Sequence, residues 1–185
     1  GTFSGEVPTD ERPLAMNTSN RFDVGRNFAN KVWNAARFAM GRVESPEPVA
    51  ALCDLSLADR WMLSRIESAT TAIGQSIEQY RFNACTEAIY DIVWRDFCDW
   101  YLEAIKPTIS NNRAQQRVLL SVIDALLRLM HPLCAYVTEA IWPHMQALGE
   151  RGVPGLNLQS ADVLALAAWP EADSSLRDEQ AETDT

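Results

Sequence analysis

A chain of 185 residues, 47% of them hydrophobic and six of them tryptophan, is sized for one domain with a well-filled core and tails to spare. Its formal charge of −9 excludes a surface that is basic throughout, and no run of about eighteen apolar residues offers a span, so no membrane partner is expected. Cys53, Cys85, Cys98 and Cys134 lie far apart with no Cys-x-x-Cys pair, which excludes the usual zinc spacings. Cys85, Cys98 and Cys134 fall within apolar helical patterns, so reduced thiols and a cytoplasmic location are expected, with no metal site.

Residues 1–20, with Pro8, Pro13 and many small polar residues, read as an extended lead-in. They hold no signal core and no initiator methionine, so the chain is expected to be a piece of a longer one. Asp23 is placed to cap a first helix from about Val24 to Arg42, stopped by Gly41 and the Ser45-Pro46-Glu47-Pro48 loop. Ser56 caps a second helix, whose apolar residues Met62, Ile66, Ala69, Ile73, Ile77 and Tyr80 recur at steps of four and three. Asn83 can cap a third, running over 83–105 and ended by Pro107. The fourth starts near Arg113 and is apolar on several sides, which makes it the centre of the bundle. Pro132 should bend or break it after Met130, leaving a shorter piece from about Ala135 to Leu148. Residues 149–170 read as a loop and a short packing segment, and 171–185 as a disordered acidic tail. The expected fold is all-α, a helical bundle over 21–148.

The first helix has an unusual polar side. With Asn27 at zero and about 100° per residue, Lys31 falls near ~40°, Asn34 near ~340°, Asn30 near ~300° and Arg37 near ~280°. Phe38, near ~20°, stands among them, while Val24, Phe28, Val32, Ala35 and Ala39 form the core face. From Arg21 to Arg42 five cations meet one acid, Asp23, for a local charge of +4, whereas Pro170 to Thr185 carry −5. Amides that meet base edges, cations that meet phosphates and a ring that stacks are what a single-stranded RNA loop needs. Asn30, Lys31, Asn34, Arg37 and Phe38 are therefore the candidate RNA-binding residues, with Arg81, Arg113 and Arg117 as secondary backbone contacts. Trp33, near ~240°, falls at the core boundary. An inert, solvated face is the alternative reading, and the overall acidity predicts weak RNA binding by this chain alone.

Five ordered blocks resemble the anticodon-binding domain of the valyl-tRNA synthetase family, within the class I aminoacyl-tRNA synthetases. They are Asn30 to Phe38, Leu57 to Arg65, Tyr80 to Asn83, Trp94 to Glu103 followed by Lys106-Pro107, and Leu129 to Pro132 with Val137 to Trp142. The Phe97-Cys98-Asp99-Trp100-Tyr101 run and Asn30-Lys31-Val32-Trp33-Asn34 favour the valine type over the isoleucine and leucine types. Ala135 and Ala140 depart from the family pattern. The resemblance implies a domain that grips the anticodon arm of the valine tRNA. It also implies a parent enzyme, monomeric and cytoplasmic, whose catalytic domain joins valine to that tRNA using ATP with Mg.

The family's His-x-Gly-His and Lys-Met-Ser-Lys-Ser type signatures do not occur in this chain, nor does a Gly-rich phosphate loop. Asp96 and Glu103 have no nucleophile or metal pattern beside them and read as ion-pair partners of arginines on neighbouring helices. The chain alone is expected to be inactive, without a cofactor. A helical docking module that does not bind RNA, or the same domain of an isoleucyl or leucyl enzyme, are the competing readings.

Overall fold

A computed structural model describes residues 20–44, 46–149, 152–157 and 161–183; nearly all of the lead-in lies outside the described residues. Helix α1 (Asn20–Met40) begins earlier than its composition suggests. Asp23 lies inside the first turn, paired with Arg26 at 2.9 Å, instead of capping it. Val24 is also not a core residue: it is 59% exposed, because the first turns of α1 overhang their neighbours. From Val32 onward the core face is buried at Val32, Ala35, Ala36 and Ala39.

Helix α2 (Leu57–Glu78) is capped by Ser56, whose Oγ accepts the Asp59 N–H. It ends in a left-handed residue, Tyr80 at φ 57°, which lets the Arg81 N–H donate to the Ser76 carbonyl at 2.8 Å. That turn starts α3 (Phe82–Tyr90) one residue before Asn83, which therefore does not cap it. The rod continues as a π segment (Asp91–Tyr101), where the Leu102 N–H reaches back to the Phe97 carbonyl, and then as α4 (Leu102–Ile105). The widened turns overlap most of the block Trp94 to Glu103 singled out by its sequence.

Helix α5 (Arg113–Gln146) is central: every residue from Gln115 to Met130 is buried. It is long and apolar enough to cross a bilayer, but most of that surface is covered by the bundle. The backbone leaves helical geometry at Cys134, two residues after Pro132, and reverses. Arg128 lies 5.6 Å from the Trp142 ring, although fourteen residues of straight helix would separate them by roughly 21 Å. His131 Nδ1 lies 2.9 Å from Thr138 Oγ1 at the bend, and that hydroxyl contacts the Cys134 and Ala135 carbonyls. The histidine thus supports the turn through Thr138.

The acidic tail differs from its expected disorder. Strands β1 (Leu156–Asn157) and β2 (Glu171–Ala172) pair antiparallel, and α6 (Glu179–Thr183) packs on α2. Leu176 and Ala181 are buried anchors. The acids are used by α2: Asp178 pairs with Arg60 at 3.1 Å, and Ser64 Oγ donates to Glu182 at 2.5 Å while accepting the Asp178 N–H at 3.0 Å. Composition predicted disorder because most of the acids are partly or fully solvated; two apolar anchors and long-range partners supply the order.

Candidate nucleic-acid interface

The described part of α1 lies against α5 and the π segment, which fixes which of its sides remains open. Asn30, Asn34 and Arg37 are exposed and make no side-chain hydrogen bond or ion pair among the described residues. Phe38 is half-buried against the core, neither fully outward nor fully inward. Arg42 lies 5.2 Å from its ring centroid and Lys106 5.6 Å, so two cations flank one aromatic platform. Lys106 is also paired with Glu103 in the same turn of helix.

Lys31 is occupied differently from its neighbours. Its ammonium lies 2.5 Å from Asp99 Oδ1 and 3.7 Å from the centroid of Trp94. Trp94 stacks on Tyr90, with centroids 5.4 Å apart, and Phe28 stacks on both. Lys31 therefore borders an aromatic cluster and must loosen from Asp99 before its full charge reaches a phosphate. The same acid and the same cation act in opposite directions on Cys98, but burial dominates and pushes its thiol up to about 12.

The secondary candidates separate. Arg117 is buried and binds the carbonyls of Pro46 and Glu47, holding the loop after α1. Arg113 pairs with Glu47 at 2.8 Å on the surface of that loop. Arg81 is exposed at the turn between α2 and α3. Asp96 takes a 2.8 Å bond from Arg65 on α2, while Glu103 pairs within its own helix.

Sequence reasoning missed Arg42 and Lys106. Arg42 was legible in principle, since residues four apart share a helix face. Lys106 comes from 68 positions further on and carries no local signal of its proximity to Phe38.

Residues 59–185 match the family described as anticodon-binding domain of tRNA ligase. The valine–tRNA ligase of Rhodopirellula baltica is 39% identical over 178 residues, a match covering 92% of this chain. Those of Pseudothermotoga lettingae and Thermotoga maritima are each 37% identical over 163 residues, 87% of this chain. In each case the chain spans 17% of the relative's length. The family match begins after α1, at Asp59, whereas the match to the Rhodopirellula baltica protein is too long to leave that helix out.

Proposed function

The chain belongs to the family of anticodon-binding domains of tRNA ligases, and on that premise we propose that it grips the anticodon arm of a valine tRNA within a valine–tRNA ligase. The observation that carries this reading is the open arc of α1: Asn30, Asn34 and Arg37, exposed and without side-chain partners among the described residues, beside a Phe38 flanked by cations. Phe38 stacks on one loop base; Asn30 and Asn34 meet base edges or sugars; Arg37 meets phosphate or a base carbonyl. Lys31 joins at a phosphate once released from Asp99.

The parent polypeptide activates valine with ATP and Mg in a catalytic domain outside this chain, and that domain is the intramolecular partner of this one. The similarity to valine–tRNA ligases supports this, as does the lack of both ATP-handling signatures in the sequence given. The parent is read as a monomer in the cytoplasm; the four free cysteines suit a reducing compartment and carry no information on oligomeric state.

The test is titration of the 185-residue chain with an unmodified anticodon stem-loop of valine tRNA, and with a loop-scrambled control, at about 50 and 200 mM salt. Weak, salt-sensitive binding that prefers the valine loop is expected. Equal affinity for both loops, or none for either, would favour an inert docking module.

A further inference from the structure

A recess borders α1 on the flank away from Phe38. Trp33, Arg37 and Met40 of α1, with Ile141 and His144 of the returning arm of α5, line an open pocket of ≈ 370 Å³. Trp33, Arg37 and Met40 are four and three residues apart, so they share one face of the helix. Ile141 is the buried floor, Trp33 and Met40 are half-buried walls, and Arg37 and His144 are exposed at the rim. The reversal at Cys134 supplies the floor and one side of the rim.

Around the helix axis this recess and the Phe38 platform enclose the amides. Trp33 and Arg37 fall near ~240° and ~280°, Asn30 and Asn34 near ~300° and ~340°, and Phe38 near ~20°. A planar ring entering the recess finds an indole wall, a polarisable thioether, and a guanidinium and an imidazole placed to meet ring nitrogens or carbonyls. We infer that the recess takes a second unstacked base of the same RNA loop, so that α1 holds one base on each flank of its asparagines. This rests on the function proposed above. The other large groove, lined by Ile77, Phe82, Leu133 and Trp169 among others, has Glu78 as its charged group, which makes it a poor site for nucleic acid.

The test places 2-aminopurine singly at each loop position of the valine anticodon stem-loop and follows its fluorescence as the chain is added. Two positions should respond, one losing its response in Phe38→Ala and the other in His144→Trp. The latter puts a larger ring from an exposed rim position into the recess, and a Trp33→Leu variant removes the wall. Each recess variant should weaken binding by about tenfold while sparing the Phe38-dependent signal. The thermal midpoint of His144→Trp should match the unmodified chain, showing that the loss is not unfolding. One responding position, or two that both survive His144→Trp and Trp33→Leu, would overturn the second base. Failure of the unmodified chain to bind the stem-loop at low salt would instead refute the proposed function itself.

Discussion

Phe38 is the side chain whose removal separates recognition from folding most cleanly. Its ring is half-buried, so Phe38→Ala should cost about 1–2 kcal/mol of stability, less than a full core truncation. Under the function proposed above, binding of the full enzyme to its tRNA should weaken by about 1–3 kcal/mol, the usual range for one base on an aromatic ring. Lys31→Ala should instead give a shallower salt dependence, and Asp99→Asn, by freeing the ammonium, should strengthen binding at low salt. Affinity against salt concentration for the three variants checks this; identical slopes would place Lys31 outside the interface. Tyr101 makes a different kind of prediction. Its hydroxyl donates to the buried Asp59 carboxyl at 2.7 Å, where Gln115 also donates at 3.1 and 3.3 Å. Tyr101→Phe should therefore destabilise by about 1–3 kcal/mol in urea unfolding. Burial and the Asp59 charge hold the phenol well above its ordinary value, and burial holds the Cys98 thiol near 12 against an ordinary 9.0. Both groups are raised in the fold, so their stabilisation is complete below the unfolded values and is lost as pH climbs through the folded ones. Burial raises the Cys85 and Cys134 thiols as well, so the urea midpoint should fall from about pH 9 upward, and Cys98→Ala should make that fall shallower.

At the scale of elements, the long periodic segments and the break after Pro132 were legible, and the turn into α3 was not. The 3.6-residue recurrence from Met62 to Ile77 set α2, and the all-round apolarity of Val118 to Met130 set the central helix, because burial of those faces is the main energy available. Ser56 announced its cap. The start of α3 was misread because Asn83 looks like a cap while the turn is made by a tyrosine in the left-handed region, a conformation that side-chain type does not announce. Tyr80→Gly should stabilise the chain by up to about 1 kcal/mol, since Tyr80 is exposed and glycine carries no steric cost there. Thermal unfolding measures it, and a lower midpoint would mean that the edge contact with Phe82 outweighs the backbone strain. The candidate site was legible only where it is local. One helix wheel placed Asn30, Asn34 and Arg37 on an open arc, but it could not show that Lys31 is tied to Asp99 or that Lys106 reaches Phe38.

For the molecule as a whole, the C-terminal strap extends the fold past the bundle. Leu176 and Ala181 are buried, Arg128 donates to the Ala168 carbonyl at 3.1 Å, and Trp142 donates to the Ala161 carbonyl at 2.8 Å. A chain ending at Pro170 should lose the burial of Leu176, about 1.5–3 kcal/mol, and leave Ser64 and Arg60 without their strap partners. Its urea midpoint should fall while its helical circular dichroism remains; an unchanged midpoint would mean that the strap only rests on α2.

The bond between Ser64 and Glu182 joins residues 118 positions apart. A ribosome working at about 5–20 residues per second therefore makes Ser64 roughly 6–24 seconds before the acid that binds it exists. During that interval α2 is covered by α3, the π segment and, once made, α5, and its strap-facing side stays open to whatever else is in solution. The last residues of the strap act on the newborn domain as a latch acts on a door already hung: they close it late, and a chaperone that binds the uncovered flank of α2 has until then to do so.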